Sequence, residues 1–71
     1  MRFWNKAYVT SHYPGAFASR HNKTGRLTKK WHVFVPQIVD ITGVVTWHFV
    51  AKSATVAWMM AADAVEQKIR R

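Results

Sequence analysis

The chain has no cysteine among its 71 residues. Disulfides, Cys-type zinc sites and thiol catalysis are therefore excluded, while the redox compartment stays open. Acidic residues are almost as scarce: Asp40, Asp63 and Glu66 are all there are. Asp40 suits the first position of a turn, and Asp63 and Glu66 sit one helical turn apart near a basic end, where a solvated helix face is the ordinary reading. H-x-E and H-E-x-x-H patterns, a glycine-rich phosphate loop and a locally spaced Ser, His and Asp set are also missing. The sequence thus reads as non-enzymatic and without a cofactor. His12, His21, His32 and His48 have no ligand-like spacing, so no metal is expected. No apolar run approaches the roughly 18 residues of a membrane span, and the start, MRFWNKAYVT, has no signal-length apolar stretch. The expectation is a soluble intracellular protein, cytoplasmic, or in a host's cytoplasm if viral, with no membrane partner.

What the chain does hold is aromatic bulk. Four Trp, four Phe and two Tyr can each bury on the order of 150–250 Å², which offsets a length that supports one core only. Residues 1–71 are read as a single domain.

Four segments follow from local chemistry. Residues 1–19 read as an N-terminal strand or hairpin: FWNKAYVTSH (3–12) mixes aromatic and β-branched residues with polar ones in rough alternation. Pro14-Gly15 fits the centre of a type II turn, and AFAS (16–19) returns as a second strand. Residues 20–28 are a basic loop with Asn22 and Gly25 as turn formers. Residues 29–50 form the main hairpin, with Lys30–Val35 and Val44–Val50 as strands, Asp40-Ile41-Thr42-Gly43 as a type I turn, and Pro36 at a bulge or an unpaired position. Residues 53–70 are a helix, capped by Ser53 and ending in the cations Lys68, Arg70 and Arg71. The predicted fold is α+β: a small antiparallel sheet of three to four strands packed against one C-terminal helix. In layout it is similar to plant AP2 domains and integrase arm-binding domains, which present a sheet to DNA, although the characteristic residues of those families do not occur here.

Pairing across a turn at 40–43 couples odd positions of one strand to even positions of the next. One face then gathers His32, Phe34, Ile38, Val45, Trp47 and Phe49; the other gathers Trp31, Val33, Val35, Val44, Thr46, His48 and Val50. The helix carries a stripe of Ala54, Ala57, Trp58, Ala61, Val65 and Ile69. One helix covers one face, so the second needs the N-terminal strands, another subunit or a ligand.

Charge is the main functional signal. Residues 1–39 hold seven Lys and Arg and no acid, whereas residues 40–71 hold four cations against three acids. Such a field favours a polyanion. Arg20, Lys23, Arg26, Lys29 and Lys30 are assigned to phosphates of DNA or RNA, and Trp31, directly after them, to base stacking. The alternative is a small virus- or mobile-element-type modulator or inhibitor that binds an acidic surface of a host protein, as a monomer or a homodimer. Trp58-Met59-Met60 would then be the partner interface, since three consecutive large apolar residues on a helix cannot all face one core.

Overall fold

The computed structural model describes residues 5–40 and 43–69, the side chains at 38–40 and 44 excepted. In chain order the elements are α1 (Asn5–His12), β1 (Phe17–His21), β2 (Leu27–Asp40), β3 (Gly43–Ala51) and α2 (Ala54–Ile69). The strands form one antiparallel sheet in the order β1-β2-β3. α2 packs on β2 and β3, and α1 packs on α2. A small α+β fold with three strands and a C-terminal helix is therefore what forms, with an N-terminal helix added. No described helix is long and apolar enough to cross a membrane.

The N-terminal segment departs from expectation: where alternation predicts a strand, residues 5–12 form α1. Eight residues are too few for a helix to stand alone in water. Tertiary packing carries it, with Val9 fully buried and Tyr8 against the core. Hydroxyls that would weaken a helix elsewhere bond back to it, Thr10 Oγ1 donating to the Lys6 carbonyl at 2.9 Å and Ser11 Oγ to the Tyr8 carbonyl at 2.8 Å. The chain then turns through Pro14-Gly15, closed by the Ala16 N–H donating to the Tyr13 carbonyl at 2.9 Å. Gly15 does not have the positive φ of a type II turn. Space is tight there instead, because a Cβ would lie 3.1 Å from Pro36 Cγ. The strand expected over 16–19 exists as β1, but it pairs with β2 and not with an N-terminal partner.

The sheet faces also differ from the sequence reading. Asp40 pairs with Gly43, yet Ile38 pairs with Val44, so an irregularity between Ile38 and Asp40 shifts the register by one. From there on Val35 meets Trp47, Phe34 meets His48 and Val33 meets Phe49, odd with odd and even with even. Residues directly opposite share a face. The face under α2 therefore carries Val33, Val35, Gln37, Trp47 and Phe49, and the open face carries His32, Phe34, Thr46 and His48. Pro36, expected at a bulge or an unpaired position, stays in register opposite Thr46 and on its other side lies just past the paired part of β1. The expected turn at 40–43 includes residues 41 and 42, which lie outside the described residues.

α2 forms as its sequence suggests. Ser53 Oγ accepts from the Val56 N–H at 3.2 Å, and the Ser53 carbonyl from the Ala57 N–H at 3.1 Å. Ala57, Ala61, Ala62 and Val65 are fully buried against Val33, Val35 and Val9. Small side chains on the helix let it sit close to a valine-lined sheet. Ile69 remains exposed at the last turn, and Trp58 is only 6% exposed. Trp58 thus packs in the core, whereas Met59 and Met60, at 45% and 40%, face outward.

At so close a seam extra volume is costly. Ala61→Leu is expected to lower unfolding stability by about 1–3 kcal/mol, read as a lower urea midpoint. Met60→Leu on the exposed side should stay within about 0.5 kcal/mol of the parent.

Candidate nucleic-acid interface

Antiparallel pairing brings the end of β1, the start of β2 and the end of β3 to one end of the sheet. Arg20, Lys23, Arg26, Lys29 and Lys30 all lie there, exposed, and Lys52 joins them just beyond β3. The structure thus brings together the five cations that the sequence singles out. The segment between them is less of a loop than expected: β1 runs through His21, β2 starts at Leu27, and only 22–26 turn. Asn22 organises that turn. Its Oδ1 accepts from the Thr24 N–H at 3.0 Å, the Thr24 hydroxyl at 2.7 Å and the Arg26 N–H at 3.0 Å. Gly25 takes a φ of 83°, which its missing Cβ permits. Lys23 and Arg26 are consequently carried on a built turn and not on a floppy one.

Trp31 lies apart from the open face. It is half-buried on the α2 side of β2, beside a cleft of about 990 Å³ that Lys6, Phe17, Thr55 and Trp58 also line. The Arg20 guanidinium stands 6.0 Å from its ring centroid, a cation–π contact that a stacked base would have to displace.

The open face carries the rings that the sequence reading placed elsewhere. Phe17 of β1 stacks on Phe34 of β2 with centroids 5.2 Å apart, and Phe34 stacks on His48 of β3 at 4.6 Å and an interplanar angle of 4°. His32 continues the set, 5.0 Å from His48. The row crosses all three strands. Phe34 and His32 are buried by their neighbours, whereas Phe17, on the edge strand, is 52% exposed. Next to the row an open cleft of about 520 Å³ is lined by Phe17, Phe34, Ser19, His21, Lys23 and Thr46, with Asn22 at its turn. Sequence reasoning missed His48 beside Phe34 because the one-residue shift reversed the facing of β3 relative to β2, and missed Phe17 and His21 because residues 1–19 read as an N-terminal hairpin and 20–28 as a loop, not as a strand paired with β2.

A relay of polar groups runs beside the rings. His48 Nε2 and His32 Nδ1 are 2.7 Å apart, and His32 Nε2 is 2.7 Å from Thr28 Oγ1. That hydroxyl is also 3.0 Å from the carbonyls of Arg20 and Lys30. One assignment satisfies every group: His48 Nε2–H donates to His32, His32 Nε2–H donates to Thr28, and Thr28 O–H donates to a carbonyl. The hydroxyl thereby ties down the irregular stretch where β1 and β2 lose register between Ser19 and His21. Only one proton fits between two nitrogens at this spacing. Burial of the His48 ring holds its pKa below the ordinary value, and the nearby charges of His32 and then Lys23 push the same way. Among the described residues no group of three His, Asp or Glu is placed to hold a metal ion.

At the opposite end of the sheet Lys68 is spoken for. Its ammonium donates to Gln37 Oε1 and lies 5.3 Å from the Trp47 ring centroid and 6.0 Å from that of Tyr13.

Asn22→Ala removes the oxygen that three donors of the turn share, and faster amide hydrogen exchange at Thr24 and Arg26 is the expected outcome. For His48 the sign is set by its lowered folded-state pKa: the unfolded chain takes up the proton first. Stability is then greatest above about pH 6.5 and falls as pH drops through that value. His48→Phe retains a ring on Phe34 and should flatten this acid-side decline, measured as urea midpoints between pH 7.5 and 5.

Comparison with known proteins leaves the chain on its own terms: no family model, no curated protein and no solved structure matches it.

Proposed function

We propose that this chain is a small non-enzymatic nucleic-acid-binding protein that grips phosphates with the turn end of its sheet. One observation carries the reading. Arg20, Lys23, Arg26, Lys29, Lys30 and Lys52 are exposed at a single end of the sheet, while Asp63 and Glu66 ride on the later half of α2. Each cation that meets a phosphate releases condensed counterions, so affinity arises without sequence readout and weakens steeply with salt. The Asn22-ordered turn supports the same reading, since cations on a fixed frame lose less conformational entropy on binding than cations on a disordered loop.

A second reading has its own observation. Val56, Met59 and Met60 are exposed at one-turn spacing along α2, an apolar strip suited to a protein partner or a second copy of the chain. An acidic partner would be steered by the same lysines.

Lys29→Ala combined with Lys30→Ala is expected to weaken binding to every sequence alike. It should also reduce the slope of log K against log salt by roughly 1.4–1.8, at about 0.7–0.9 for each phosphate that is no longer neutralised. A slope unchanged in the double variant takes this segment out of the interface. Absence of binding to duplex DNA, single-stranded DNA and duplex RNA near physiological salt sinks the nucleic-acid reading and leaves the α2 strip.

A further inference from the structure

The cleft on the open face combines two chemistries that basic turns alone do not have. Its floor is aromatic: Phe34 is held between Phe17 and His48, and Phe17 ends the row. One face of the Phe17 ring covers Phe34. The ring is otherwise 52% exposed, on the edge strand, and borders the clefts on both sides of the sheet. The walls are polar and basic, with Ser19, Asn22 and Thr46 supplying hydroxyls and an amide, and Lys23 and His21 supplying charge or donors. A flat polar ring carrying an anionic group a few ångströms away fits both parts. A base inside a duplex already has both faces stacked and cannot enter; an unpaired one can.

We propose that this cleft takes an unpaired base of a single-stranded nucleic acid, packed on the exposed part of the Phe17 ring, with the adjoining phosphate on Lys23. The inference rests on the nucleic-acid reading above and narrows it to single strands. Phe17 is braced by a stack already present across three strands, so its exposed ring offers the incoming base a fixed aromatic surface. Ser19, Asn22 and Thr46 offer both donors and acceptors to the base edge, so no single base is singled out. Trp31 has no part in this contact, being on the opposite side of the sheet and under Arg20.

The test is fluorescence anisotropy of the full chain with a labelled twelve-nucleotide single strand, as DNA and as RNA, and with the DNA duplex of the same sequence. The parent should bind the single strands more tightly than the duplex. Stacking of one base is worth about 1–3 kcal/mol, so Phe17→Ala should lose roughly 5- to 150-fold on single strands and change little on the duplex. Phe17→Trp, which keeps a ring, should restore single-strand binding. Unchanged single-strand affinity in Phe17→Ala, or an equal loss on duplex and single strand, overturns the stacking site. The phosphate reading then stands provided that Lys29→Ala with Lys30→Ala still flattens the salt slope. A parent that prefers duplex also overturns the inference, and a parent that binds nothing overturns both. Circular dichroism checks the fold of each variant; should Phe17→Ala not fold, Phe17→Leu replaces it, with the same single-strand loss expected.

Discussion

The register of β2 against β3 decides which side chains reach α2 and which line the open face. With Val33 opposite Phe49 and Val35 opposite Trp47, the sheet offers branched aliphatic residues to the alanines of α2. A slip of one residue on β2 would turn His32 and Phe34 toward the helix and send Val33 and Val35 to solvent. The alanine seam has no room for those rings. The other face enforces the same choice, because the His32–His48 contact at 2.7 Å and the parallel stack of Phe34 on His48 exist in this register alone. Two independent sets of contacts, one apolar and one polar, therefore select a single pairing.

From that pairing comes a division of labour between the two sides of a thin molecule. All the depth of the core lies on the helix side. The open side is stabilised laterally, by rings standing against one another across strands, which buries Phe34 and His32 without any covering layer. Such a surface is firm and remains accessible at its rim. The Asn22 turn stands at that rim, so the cationic end and the ring row share one boundary.

Much of this was legible in the chain beforehand, for physical reasons that differ from element to element. α2 announced itself through Ser53, the absence of Gly and Pro, and its alanine stripe; the β2–β3 hairpin did so through β-branched and aromatic runs around Asp40 and Gly43. The gathering of Arg20, Lys23, Arg26, Lys29 and Lys30 followed from their closeness in sequence. α1 was not legible because its residues favour a strand locally and become helical through Val9 and Tyr8 meeting the core. The facing of Phe34 and His48 was hidden by an irregularity at Ile38–Asp40, where nothing in the residue types marks a shifted register. Trp31 adjoins the lysines in sequence, but adjacency along a strand does not fix the side of the sheet, and its ring lies on the α2 side beside Arg20, away from the row of Phe17, Phe34 and His48.

The placement of charge has a consequence for how the molecule moves before it touches anything. Six exposed cations sit at one end, Asp63 and Glu66 lie along α2 toward the other, and the ammonium of Lys68 is engaged by Gln37, Trp47 and Tyr13. These neutral partners leave the Lys68 charge in place, so the chain is a net cation whose described cations are weighted toward one end. In the field of a polyanion such an uneven charge feels a torque at distances up to about a Debye length, roughly 8–10 Å in physiological salt. On the nucleic-acid reading, that torque favours approach with the β1–β2 end forward. That rotation reduces the orientational search that ordinarily slows the docking of one specific patch, so the asymmetry acts on the rate of encounter before any contact contributes to affinity.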